Sequence, residues 1–325
     1  MSNILSALPQ VLVDGLTLGA IYAVVALGYT MVYGILELIN FAHGEIFMSG
    51  AFIGTGLLLS LGVFGIAMPA WITLILILLL TALLTGLLGI GIERLAYRPL
   101  RKAPRLIPLI SAIGISFILQ DLVRFFAEFK TGNYIVTGTT LFEGKVTIPF
   151  SSIIGTFHNA TIKNNTLILI GITIIIMILL DIFVNRTKWG TAMRAVAQDQ
   201  ETAALMSINV NKVISLTFFI GSAIGGATGF LFAQQYATID PYIGFILGLK
   251  AFTAAVLGGI GNIRGAMFGG LILGVLEVFA AANLSTITGG VIGSEYKDVF
   301  AFTILILVLI FKPEGLFGKS VKEKV

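Results

Sequence analysis

Charged and titratable side chains are scarce in this sequence, so the few that interrupt its apolar runs carry most of its chemical information. Asn40, His43 and Glu45 stand close together in an otherwise apolar stretch, around Gly44. Ionisable groups in such segments are expensive and mark functional sites by default, and an imidazole titrates near neutrality. A structural role competes with this one. Glu45 suits the positive end of a helix beginning here, and His43 can bond a carbonyl. Asp240-Pro241 is a second such place, where an aspartate followed by proline suits the first turn of a helix and a transport role is the alternative. Lys250 lies in the apolar segment that Gly244 opens, where it either snorkels to the interface or pairs with Asp240.

Other chemistries are excluded by what is missing. The chain has no cysteine, so disulfides, thiolate metal sites and a cysteine nucleophile are absent, and its two histidines, His43 and His158, lie far apart with no metal-binding cluster around either. Gly258-Gly259-Ile260-Gly261-Asn262-Ile263-Arg264-Gly265 lacks the preceding strand and the spacing of a dinucleotide loop, and reads as a tight turn. Gly318-Lys319-Ser320 is half a phosphate loop with Pro313 where its first glycine belongs. There is no paired-carboxylate or nucleophile–base constellation. The chain is not expected to be an enzyme, and no bound cofactor or metal is expected.

The polar stretch Arg186 to Lys212 has a different character. Arg186, Lys188, Arg194 and Lys212 place it on the cytoplasmic side. Its centre is rich in helix formers, and Asp199 stands where an N-cap belongs, ahead of Gln200, Glu201 and the small Ala203 and Ala204. A short amphipathic helix held there is a docking surface for a cytoplasmic partner. On this reading Ala203→Trp blocks docking and leaves the protein folded.

These groups are carried by membrane spans. The chain has 325 residues, of which 57% are hydrophobic and only 11% charged, against about 25% in soluble domains; the mean hydropathy is +1.02. The net charge of +4 sits in short loops between apolar runs, which is topogenic and does not imply nucleic acid. The first apolar run lacks a basic leader and a cleavage site and reads as a retained span. Arg94, Arg98, Arg101, Lys102 and Arg105 crowd one cytoplasmic loop, and Lys312, Lys319, Lys322 and Lys324 place the C-terminus inside. Counting spans of ~20 residues between these anchors gives about nine crossings and an external N-terminus. Tyr134–Val136 and Val146–Ile148 are expected to form a small hairpin in the external loop.

Glycines recur every fourth residue at 221, 225 and 229 and at 261, 265 and 269, the stripe that lets helices approach closely in lipid. The break from Leu36 to Glu45 and that from Ala237 to Gly244 are alike in design: a helix runs into each and a new helix leaves it. The first is expected toward the inside, the second toward the outside, as in inverted repeats with interrupted helices, both lining the internal path. The fold class is an all-α polytopic membrane protein, an inverted-repeat helical bundle with broken helices and about 8–10 transmembrane helices. A single transmembrane domain, 1–325, comprises repeat one (about 11–127), a periplasmic loop (about 128–165), a cytoplasmic coupling loop (about 186–212) and repeat two (about 213–312).

Five segments together carry a family resemblance: Gly15–Ala23, Asn40–Glu45, Glu93–Arg101, Lys250–Gly261 and Glu295–Asp298. They resemble, in order and over nearly the whole chain, the H-type permease subunits of branched-chain amino acid ABC importers. The resemblance implies a permease in the bacterial inner membrane that receives branched-chain or other neutral amino acids from an extracytoplasmic binding protein. It further implies a second homologous permease in a heterodimer and two cytoplasmic ATPase subunits that hold ATP and Mg. Gly190, Arg194, Ala195, Asp199, Ala203 and Ala204 match the family's ATPase-coupling loop. Ser207 stands where the family usually has Gly, and Asn262 and Arg264 replace the commoner Ser and Pro. Related permeases carry urea or short amides, and an ion-coupled secondary transporter is the alternative class, with Glu45 and Asp240 as ion ligands.

Overall fold

The computed structural model describes residues 2–36, 38, 40–66, 68–101, 103–104, 106–149 and 158–318. Lys102 and Arg105 of the basic loop, and Lys319, Ser320, Lys322 and Lys324 of the tail, lie outside the described residues.

The helices are mostly long apolar runs, because lipid leaves the backbone no other partner than itself, with Pro9 inside the first of them. In chain order these are α1 (Ser2–Leu36), α2 (His43–Val63), α3 (Ala70–Ile92), α4 (Leu106–Thr131), α5 (Asn164–Arg186), α6 (Lys188–Gln198), α7 (Gln200–Leu205), α8 (Val210–Tyr236), α9 (Ile243–Gly258), α10 (Ile263–Ile287) and α11 (Lys297–Phe311). Among the described residues 7 helices are long and apolar enough to cross a membrane, so this is a multi-pass membrane protein. The two other expected crossings are shorter: α9 has 16 residues and α11 has 15. At ~1.5 Å per residue neither alone matches a ~30 Å hydrocarbon layer.

The halves interlock. The first helix of each packs along the third helix of the other, α1 on α10 and α8 on α3. Glycine makes both contacts possible. A Cβ on Gly19 would stand 2.8 Å from the Leu271 Cα, one on Gly274 2.2 Å from the Gly19 nitrogen, and one on Gly89 2.8 Å from the Phe218 carbonyl oxygen. The second helices meet each other: Gly44 of α2 lies against Gly244 and Gly248 of α9. The two breaks, expected toward opposite faces, are therefore brought together.

Two ends of the bundle can be told apart. At one, the His158 N–H donates to the Ser6 carbonyl at 2.8 Å, so the start of α1 shares a side with the α4–α5 loop. Four short strands lie there: β1 (Val136–Thr137), β2 (Lys145–Ile148), β3 (Ala160–Lys163) and β4 (Thr238–Ile239). The expected hairpin does not form. β2 pairs antiparallel with β3, and β1 pairs with β4 across the second break. Tyr134–Val136 had no near partner because its partner lies a hundred residues on, beyond the reach of local pattern. At the other end Arg101 donates to Asn211 at 2.7 Å and Gln200 to the Ile35 carbonyl at 3.5 Å. Arg94, Arg98, Arg186, Lys188, Arg194 and Lys212 all belong to this basic end.

The α2–α8 contact supplies a test of the packing. A Cβ on Gly50 would meet the Gly226 carbonyl oxygen at 2.2 Å and its Cα at 2.3 Å, backbone that cannot swing away, whereas Gly56 faces open space. Gly50→Val is expected to destabilise by about 1–3 kcal/mol, as overpacked cores do, and to lower the unfolding temperature in detergent. Gly56→Ala should leave that temperature within a degree or two of the parent's; equal behaviour of the two variants contradicts the contact.

Candidate functional site

The first break is built from side chains that α2 delivers as it begins. Glu45, in its first turn, suits the positive helix end. It is completely buried and accepts a hydrogen bond from the Ser116 hydroxyl of α4 at 3.1 Å, while its second oxygen has no partner. His43 bonds the Val25 carbonyl of α1, and the Gly44 N–H donates to the Tyr29 hydroxyl. The Tyr29 and His43 rings meet edge to face at 4.8 Å. Asn40 accepts from the Tyr97 hydroxyl at 2.9 Å, which keys the end of α3 to the break. Asn40, His43 and Glu45 thus hold α1, α3 and α4 around a helix start, and each retains an unpartnered buried polar atom.

The second break is shallower. Asp240 accepts from the Tyr242 N–H at 2.7 Å, an Asx turn over Pro241, and α9 starts at Ile243 without a side-chain cap. Asp240, expected as the N-cap, thus shapes a turn two residues before the cap position at Tyr242. Asp240 does not pair with Lys250 either. The Lys250 ammonium lies 2.8 Å from Glu277 of α10 and 2.7 Å from Asp298 of α11. Lys297 reaches the same Glu277 oxygen at 3.2 Å, and the Tyr22 hydroxyl donates to the other at 2.7 Å. Four helices meet in this charge-balanced knot: α1, α9, α10 and α11. Glu277 was missed by sequence reasoning although it is the lone acid in an apolar run that also needs a cation nearby.

At the basic end, the docking stretch is two helices joined at Asp199. Thr187 caps α6 by accepting from the Gly190 N–H at 3.1 Å. Asp199 caps α7, accepting from the Glu201 and Thr202 N–H groups at 2.9 and 3.2 Å and from the Thr202 hydroxyl. These bonds, that of the Thr202 hydroxyl foremost, hold the Asp199 carboxyl below the usual carboxylate range. The cap therefore persists down through ordinary carboxylate pKa values and is lost only as pH falls through the depressed one.

The small face points inward, not outward. Ala203 is only 4% exposed and Ala195 half-buried; of the three alanines only Ala204 is exposed. Gly190 sits where a Cβ would strike the Val184 carbonyl oxygen at 2.1 Å, and Arg194 turns back to bond that same carbonyl. The surface α7 offers is instead Leu205 and Met206, 85% and 74% exposed. Ala203→Trp therefore strikes the chain's own packing. Ser207 follows with φ +64°, and the N–H groups of Ile208 and Ser207 return to Ala203 and Ala204, both at 3.1 Å. This is a Schellman close, whose left-handed position glycine fills without strain. Asn262 caps α10 through the Gly265 N–H at 3.2 Å and donates to the Phe317 carbonyl at 2.8 Å, and Arg264 pairs with Asp181 of α5 at 3.0 Å.

The chain is thus a multi-pass helical bundle with interlocked halves, a buried helix break and a braced polar appendage. The chain matches the family model for the branched-chain amino acid transport system permease component over residues 11–309, and it belongs to that family. It is 44% identical over 318 residues to the high-affinity branched-chain amino acid transport system permease protein LivH of Salmonella typhimurium, covering 97% of each chain. It is likewise 44% identical over 317 residues to BraD of Pseudomonas aeruginosa, a protein of the same description, again over 97% of each. A probable LivH of Methanocaldococcus jannaschii is 27% identical over 305 residues, 92% of this chain and 89% of that one.

The Lys250 knot is open to a double-mutant cycle. Glu277→Met leaves Lys250 with only the part-exposed Asp298, and Lys250→Met leaves Glu277 with only the part-exposed Lys297 as a countercharge, so each single change is expected to cost about 3 kcal/mol. Lys250→Met combined with Glu277→Met should lose markedly less. Unfolding of the solubilised protein by heat or denaturant reads both, and additive losses in the double variant contradict the pairing.

Proposed function

We propose that this chain is the transmembrane permease subunit of an ATP-driven ABC importer that moves branched-chain or other neutral amino acids across the bacterial cytoplasmic membrane. The observation that carries this reading is the pairing of family membership with an exposed apolar tip, Leu205 and Met206, on a helix braced at the basic end. In this reading the basic end is cytoplasmic and the end bearing the strands faces an extracytoplasmic binding protein. Two ATPase subunits bind ATP and Mg and press on α6 and α7, and a second homologous permease completes the pathway.

The coupling roles of Gly190, Arg194, Ala195 and Ala203 are then indirect. They seat α6 and α7 on the permease, while Asp199 shapes α7 and Ala204 flanks the contact. The breaks at Asn40, His43, Gly44 and Glu45 and at Asp240 and Pro241 are the points where the path changes as the halves rock, and Lys250 ties the second of them to α10 and α11. The Lys250 charge near the path is matched by Glu277 and Asp298, which suits a cargo without net charge.

Sidedness has a direct check in a cysteine-free chain. Glu201→Cys on α7 and Glu143→Cys in the strand-bearing loop, both exposed, should react with an impermeant maleimide from opposite faces of the membrane; reaction from one face overturns the topology. For coupling, Leu205→Ser with Met206→Ser is expected to reduce substrate-stimulated ATP hydrolysis at least tenfold, the equivalent of ~1.4 kcal/mol, with the permease still folded. Full hydrolysis in that variant places docking elsewhere. Uptake of labelled leucine by the reconstituted complex with its binding protein tests cargo, and uptake of urea without leucine overturns the substrate assignment alone.

A further inference from the structure

Between α3, α5 and α8, at the basic end, runs a groove of 640 Å³ that includes no residue of either break and that the docking helices border only through Trp189. That volume lies within the ~300–1,000 Å³ range of small-molecule sites. Its mouth carries Arg94, Arg98 and Lys212. Arg98 is engaged by the buried Glu93 at 3.0 Å, which also takes Arg101 and Ser215. Arg94 and Lys212 are exposed and make no ion pair among the described residues. The mouth therefore holds a surplus of positive charge fixed at the ends of two spans.

The walls are of another kind. Ile90, Phe183, Leu216 and Phe219 line the groove, with Trp189 of α6 at its edge. Ile90 and Arg94 continue a helical stripe that includes Leu83 and Leu87, 48% and 53% exposed, so the apolar floor runs from the mouth into the lipid-facing side of α3. A tryptophan at such a boundary is the ring expected at headgroup level. A soluble anion has use for the cations and none for the floor. A molecule with an anionic head and acyl chains uses both.

We infer that this groove is a binding site for one anionic phospholipid, with its phosphate at Arg94 and Lys212 and its chains along Ile90, Leu87 and Leu83. Basic pockets between spans on the cytoplasmic side are the usual place for such headgroups. The lipid would wedge α3 against α8 at the point where Glu93 and Ser215 already join them. The inference requires only that the chain spans a membrane, and holds whatever solute it carries.

Native mass spectrometry of the full chain in detergent, titrated with phosphatidylglycerol or with phosphatidylcholine of identical chains, tests it. One phosphatidylglycerol is expected to bind in preference to phosphatidylcholine. Arg94→Gln and Lys212→Gln should each weaken it about fivefold, the effect of one basic residue at a membrane surface, and the two together more. Lys130→Gln, at the far end of α4, should change nothing. Phosphatidylcholine binding serves as the control for folding; if the double variant loses that too, the single variants decide. Equal binding of the two lipids, or undiminished phosphatidylglycerol affinity in the variants, overturns the site. Loss of a co-purifying ATPase with lipid binding intact makes the groove a protein-docking surface, and overturns it as well.

Discussion

Backbone-to-backbone contact between helices of opposite halves is the constraint on which this structure rests. In a bilayer the tails are as apolar as leucine, so spans gain little from hiding hydrophobic side chains from lipid and must gain from close packing. Gly19, Gly274, Gly50 and Gly226 supply it by removing the atom that would hold the helices apart. Once α1 lies on α10 and α8 on α3, the second helices, α2 and α9, have to begin within the protein between them. The buried break is thus a product of the interlock. Its polar groups are tolerated because Tyr29, Tyr97 and Ser116 are already there to receive them.

The parts of this fold legible in sequence were those governed by local composition. Charge-free runs marked the long helices, basic clusters marked one end, and Asp199 marked a helix start. The parts that escaped depend on distant partners. β1 could not be matched to β4, nor Lys250 to Glu277 and Asp298, because nothing within a few residues distinguishes the true partner from Asp240. The inward turn of Ala203 escaped for a related reason. A small residue on an amphipathic helix is equally suited to receiving a partner protein and to lying against its own, and only the packed structure separates these.

Polar chemistry in this chain serves largely to fasten helices at chosen points. Glu93 gathers Arg98, Arg101 and Ser215 at one end, and Glu277 gathers Lys250, Lys297 and Tyr22 nearer the other. Removing one member of such a cluster leaves an unmatched charge, so each is held as a set. Between these clusters the helices are held by close glycine contacts and by single polar ties such as Glu45 to Ser116 and Asn40 to Tyr97. A bundle pinned in this way is fastened at a few charged clusters and close-packed between them.

Arg194 shows what that fastening means at the periphery. Its guanidinium grips the last turn of α5 while Gly190 brings α6 into contact with the same carbonyls, so α5 and α6 behave as one bent rod. Gln200, just past the bend, donates to the Ile35 carbonyl at the foot of α1. Asp199 thus stands where two connections part, one to α5 through Arg194 and Gly190 and one to α1 through Gln200. The first leads along a span of 23 residues, and the second ends one residue short of the end of α1.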